Sequence, residues 1–172
     1  MKRTRKIILL SLLVSIGLAL SVIESSIPLP VAIPGARLGL SNMVILVTLV
    51  IFGFKEALSV SVLKSFVLVL VTGSISSLIY SLAGGIVSCI IMFIGYKFFS
   101  NIFSLIGVSI LGAAGHNIAQ VSVAVFIMSN IRVYSYLPIL LLMGLFTGYF
   151  VGLSSIYISK NLKKVLKFNL QN

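Results

Sequence analysis

Long apolar runs, each ended by a short polar break, organise this chain. The first run extends from Ile7 to Ile23 behind a basic start, and because further runs follow it, it reads as a retained helix rather than a cleaved leader. A membrane-crossing helix needs about 17–25 mainly apolar residues. On that scale the pattern predicts six helices, at about 7–26, 38–54, 57–74, 78–99, 105–130 and 134–158. The break between the second and third is only Gly53-Phe54-Lys55-Glu56. The expected architecture is therefore all-α: one integral membrane domain covering residues 1–172, a bundle of six transmembrane helices.

Composition agrees. Of the 172 residues 59% are hydrophobic and 9% charged, with a mean hydropathy of +1.24, whereas a soluble domain carries about 25% charged residues. The net charge of +11 resides mainly in tails rather than on a soluble basic face, which argues against nucleic acid as a partner. Lys2, Arg3, Arg5 and Lys6 form one tail; Lys160, Lys163, Lys164 and Lys167 form the other. With six spans these tails share a side with Lys55 and Lys97, while Arg37 and Arg132 fall on the opposite side. The positive-inside rule then places both termini in the cytoplasm, where basic tails also attract anionic lipid.

Small residues recur at intervals of four. Gly144, Gly148 and Gly152 mark the sixth helix; Ser77, Ser81, Gly85 and Cys89 the fourth; Ser11, Ser15 and Ala19 the first. Such stripes let helices approach closely in lipid. Packing within the chain accounts for them, and the alternative is that one stripe docks a membrane partner. The first helix is the best candidate, because its stripe begins on the cytoplasmic side.

The candidate chemistry lies in a handful of polar residues. Lys64 falls near mid-membrane, where an ionisable group is costly unless paired or wetted. Its expected partner is an anionic ligand group or Glu24, which ends the first helix. Gly112, His116 and Gln120 share a helix face, with Asn117 adjacent; they either grip a ligand or bond to neighbouring helices. Arg37 and Asn42 flank Gly39 at the start of the second helix, where free backbone N–H groups favour an anion. The loop from Ile27 to Arg37, with three prolines, is either a lid over the bundle or a segment lying in the headgroups. A single cysteine excludes an intrachain disulfide and a Cys-based metal site. The chain carries no Asp and no phosphate-binding Gly-xxxx-Gly-Lys-Ser/Thr loop. No metal, cofactor or catalytic residue is expected.

The segments Arg37-Leu-Gly-Leu-Ser-Asn42, Gly53-Phe-Lys-Glu-Ala57, Tyr80-Ser-Leu-Ala-Gly-Gly85, Ser104-Leu-Ile-Gly-Val-Ser109 and His116-Asn-Ile-Ala-Gln120 together resemble small bacterial membrane proteins named heptaprenyl diphosphate synthase component I, or the Gx transporter family. That family is similar to the substrate-binding S components of energy-coupling-factor (ECF) transporters. The resemblance implies a six-helix, ECF S-component-like bundle in the cytoplasmic membrane, with an outward-facing pocket for a small solute. It implies a transmembrane coupling subunit and an ATPase pair as partners, met through Ser11, Ser15 and Ala19. It adds Tyr80 to the pocket candidates Glu24, Arg37, Asn42, Lys64, His116, Asn117 and Gln120. The enzyme part of the family name sits poorly with the residues. Prenyl transfer needs acidic clusters to hold Mg²⁺, and here the acids are Glu24 and Glu56 alone. The chain is expected not to be an enzyme, and the alternative to transport is a non-catalytic membrane subunit in isoprenoid or quinone synthesis or a membrane redox system.

Overall fold

The computed structural model describes residues 3–27 and 37–171, with side chains described as far as residue 166. The described chain is all helix and turn: α1 (Arg3–Ser25), α2 (Asn42–Phe52), α3 (Phe54–Thr72), α4 (Ile75–Phe98), α5 (Leu105–Met128), a short 3-10 helix (Ile131–Tyr136) and α6 (Leu137–Gln171). The expected loop over 27–37 lies almost wholly outside the described residues.

The boundaries follow local chemistry. Gly53 takes φ +98° and separates α2 from α3, while Gly73 closes α3 in the left-handed region at φ +66°. The Ser74 and Ser104 side chains accept from the Ser77 and Gly107 amides and start α4 and α5.

The six expected helices are present, and four stretches among the described residues are each long and apolar enough to cross a membrane: Arg3–Ser25, Ile75–Phe98, Leu105–Met128 and Ile131–Leu166. Two helix ends differ from expectation. The second helix starts at Asn42 rather than 38, because Gly39 turns the chain at φ +85°. At 11 residues it is about 16 Å long, half the hydrocarbon thickness. Nor does the last helix stop near 158; it continues unbroken to Gln171, since the basic tail contains no Gly or Pro to end it.

α2 is the inner helix. Residues 44–49 are all buried, so it is covered on every side, as an evenly apolar helix must be. Around it, α1 buries Leu13, Gly17, Ser21 and Glu24 along one stripe. Elsewhere the surface is apolar, with Leu70 and Phe126 more than 80% exposed, as a lipid-facing exterior demands.

The small-residue stripes of α4 and α6 pack within the chain. A Cβ at Gly148 would lie 2.8 Å from the Cα of Ile110, and one at Gly152 2.6 Å from the Cα of Ile106. These glycines set how closely α5 and α6 approach. On α4, Ser81 shares a 2.7 Å hydrogen bond with Ser65 of α3, and Gly85 faces Ser61. The stripe on α1 is different: Ser11, Ser15 and Ala19 are exposed.

Gly148→Leu should therefore force α6 from α5 and destabilise the bundle by roughly 1–3 kcal/mol, whereas Leu145→Ala on the exposed face should change little. Cys89 is fully buried, so a thiol-reactive dye added to detergent-purified protein reports unfolding directly. Equal midpoints for the two variants would refute this account of the α5–α6 seam.

Candidate functional site

The structure gathers most of the predicted polar residues around the start of α2. Glu24, Arg37, Asn42, Lys64, His116 and Gln120, which come from five parts of the chain, are each no more than 5% exposed. Of the basic residues expected at the outer edge, Arg132 alone is exposed.

At the centre is a carboxylate on a helix start. Glu24 Oε1 accepts from the backbone amides of Gly39 and Leu40, the latter at 3.2 Å. These donors belong to the turn just before α2, whose own amides at Asn42, Met43 and Val44 bond to the Gly39, Leu40 and Ser41 carbonyls, and two converging N–H groups suit an anion. The sequence expectation of an anion seat beside Gly39 thus describes the geometry, and the anion in it is the chain's own Glu24. Gly39 is required there: its φ is positive, and a Cβ would lie 2.7 Å from Asn42 Nδ2.

Lys64 is ten residues into α3, about 15 Å along its axis. Its ammonium donates to Ser41 Oγ at 2.6 Å, and its stem lies against Gly17, where a Cβ would sit 3.2 Å from the lysine Cδ. The Ser41 hydroxyl makes no bond to its own helix. Glu24 lies within electrostatic reach of both Lys64 and Arg37, yet the described residues contain one ion pair, Lys6 with Glu56 at the α2–α3 turn. Burial pulls the Arg37 guanidinium below its ordinary value and Glu24 pulls it back up; a guanidinium remains charged throughout.

α5 closes the cluster. Gln120 Oε1 accepts from the Arg37 amide at 3.0 Å. The His116 ring lies on Gly84, where a Cβ would come within 2.6–3.1 Å of three ring atoms. Thr147 of α6 donates to the Leu38 carbonyl at 3.3 Å, fixing the segment from the other side.

Two candidates stand apart. Asn117 turns to α6, donating to the Leu140 carbonyl at 2.7 Å beside Gly144, which is the interhelical reading. Tyr80 packs with Val121, Ala124, Val133 and Leu140. Gly112, expected on the ligand-facing stripe, makes room for Met92 and Ser88. Sequence reasoning missed Ser41. Its cue was a Ser just before a helical run, and its pairing with Lys64 follows from near-equal distance on either side of Gly53.

Several buried atoms here have no hydrogen-bond partner among the described residues: Glu24 Oε2, Arg37 Nη1, both amide atoms of Asn42 and Gln120 Nε2. The His116 ring lies within reach of the Gly84 backbone. Orphaned polar atoms in an apolar interior cost on the order of 1–3 kcal/mol each, and here they gather around one point. As for metal, the described residues hold no group of three or more His, Cys, Asp or Glu.

The sequence profile of a family described as heptaprenyl diphosphate synthase component I matches residues 13–158, most of the chain. No curated protein and no solved structure matches it.

Glu24→Ala should leave the Gly39 and Leu40 amides without an acceptor and cost about 1–3 kcal/mol. Glu24→Gln keeps an acceptor oxygen and should cost less. Dye-monitored melting at Cys89 orders the two; a harmless Glu24→Ala would remove the carboxylate from its place under α2.

Proposed function

We propose that this chain, which belongs to the heptaprenyl diphosphate synthase component I family, is a membrane-embedded solute-binding subunit that takes up a small anionic compound with energy from separate ATPase subunits. The observation that carries the reading is the buried cluster around the start of α2: two cationic side chains, one carboxylate, unpartnered amide groups and an imidazole, enclosed in an apolar bundle. Charge buried in lipid is costly and marks substrate pathways by default. Arg37 and Lys64 supply the positive charge, and Asn42, His116 and Gln120 the neutral hydrogen bonds.

On this reading α2 and α3 form a paired crossing, and the bundle has the six passes of an S component. The ten-to-two distribution of basic residues puts both tails in the cytoplasm of a bacterial cell. The exposed α1 face bearing Ser11, Ser15 and Ala19 receives the transmembrane coupling subunit. Its small residues permit close approach, and the groove beside it is lined by Leu10, Ser11, Val14, Ser15, Leu63 and Val67 among others, with a volume of about 460 Å³.

The family description supports a second reading, a non-catalytic membrane subunit of an isoprenoid-synthesis complex. Catalysis by this chain itself lacks a means of holding Mg²⁺: it has no Asp, Glu24 is committed to the α2 amides and Glu56 to Lys6.

Tagged protein extracted in mild detergent should bring down, in stoichiometric amounts identified by mass spectrometry, a transmembrane coupling protein and two ATPases. The double variant Ser11→Leu/Ser15→Leu should lower their recovery at least tenfold while leaving the melting midpoint unchanged. Recovery of a prenyl synthase with no ATPase would put the second reading in place of the first.

A further inference from the structure

Glu24 and Arg37 are opposite charges, both buried, each within the other's field, and each with an atom that no group among the described residues satisfies: Glu24 Oε2 and Arg37 Nη1. In a low-dielectric interior such a pair gains strongly by closing on itself, and a direct bidentate bond is the usual result. Here no such bond is made: the ion pair among the described residues is Lys6 with Glu56. Glu24 Oε1 is taken by the Gly39 and Leu40 amides, while the Arg37 backbone is fixed through its amide to Gln120 and through the next residue's carbonyl to Thr147. The two charged ends stay unjoined. Whatever completes the site must give a proton to Glu24 Oε2 and accept one from Arg37 Nη1. The neutral groups present the same duality, because the Asn42 amide offers both a donor and an acceptor, and Gln120 Nε2 donates.

We propose, resting on the solute-binding reading above, that the ligand is bipolar: a small molecule carrying a carboxylate-type acidic group for Arg37, with Lys64 nearby, and an amine or other N–H group for Glu24. A simple anion satisfies only half of the site. It leaves Glu24 Oε2 buried beside a second negative charge, which is repulsive as well as unsatisfied. A simple amine does the converse against Arg37 and Lys64. One molecule with both poles satisfies both, and its two charges lie in the sense of the field already present.

The probe is a series of straight-chain ω-amino acids, from β-alanine to 6-aminohexanoate, each set beside the fatty acid and the primary amine of the same carbon number. Binding to the full chain in nanodiscs is read by titration calorimetry and by the dye-monitored melting midpoint. At one chain length the amino acid should bind at least tenfold more tightly than either matched partner. Glu24→Gln, which retains an acceptor, should bring the amino acid down to the level of the fatty acid, and Arg37→Gln should bring it down to the amine. If a variant fails to fold, the wild-type ratios alone decide. A fatty acid that binds as tightly as its amino acid overturns the bipolar ligand and leaves the anion-binding subunit standing. Should no member of the series bind to folded protein, the bipolar ligand falls, while the solute-binding reading stands or falls separately with recovery of the coupling protein and ATPases.

Discussion

A carboxylate on a helix start inside an apolar bundle is the contact on which the rest of this molecule depends. Lipid offers no hydrogen bonds, so every backbone group at membrane depth must find a protein partner. Most of the chain meets that demand by being helix. The turn that leads into α2 does not: the α2 amides of Asn42, Met43 and Val44 take the Gly39, Leu40 and Ser41 carbonyls, and the Gly39 and Leu40 amides before them need an acceptor from elsewhere. Glu24, in the last turn of α1, supplies the acceptor. The carboxylate is in turn tolerable there because the amides, the helix dipole and the nearby Lys64 and Arg37 surround it with positive charge. Neither partner would be stable in this position without the other.

That contact fixes the remaining geometry by exclusion. With Gly39 in a left-handed conformation and pressed against Asn42, the backbone turns sharply enough to point Ser41 at α3, and Ser41 takes the Lys64 ammonium. Room for these side chains comes from glycines on the facing helices: Gly17 beside the lysine stem and Gly84 beneath the imidazole. Polar groups and small residues are therefore one design rather than two. A larger residue at Gly17 or Gly84 would displace the Lys64 stem or the His116 ring without touching the backbone bonds that hold the cluster.

The hydrophobic pattern carried much of this and missed a definable part. Helix number and order were legible because each apolar run is bounded by Gly, Ser or a charge. The identity of the polar cluster was also legible, since an ionisable residue such as Lys64 is too costly within an apolar run to stand there without polar company. Helix length was less so. Leu38, Leu40 and Met43 continue the apolar pattern through a turn that only the φ of Gly39 breaks, and hydropathy does not register a single dihedral. Partners were the least legible. His116 and Asn117 are adjacent in sequence, but about 100° apart around α5, so one reaches Gly84 and the other the Leu140 carbonyl. Tyr80 was expected in the pocket through family resemblance, and the structure packs it among apolar side chains instead.

α1 joins the interior of the protein to its surroundings. One of its faces buries Leu13, Gly17, Ser21 and Glu24 against the bundle, while Ser11, Ser15 and Ala19 look outward. At one end Lys6 ties it to Glu56 at the α2–α3 turn; at the other Glu24 ties it to the start of α2. α1 is one continuous 23-residue helix with contacts at both ends, so a partner seated on the outer face and a ligand seated at Glu24 would act on the same element. If the partner prefers one position of α1, the ligand must feel that preference to the same extent, because coupling between two sites on one equilibrium is reciprocal. On the solute-binding reading proposed above, α1 is the element common to the ligand at Glu24 and the partner on the outer face.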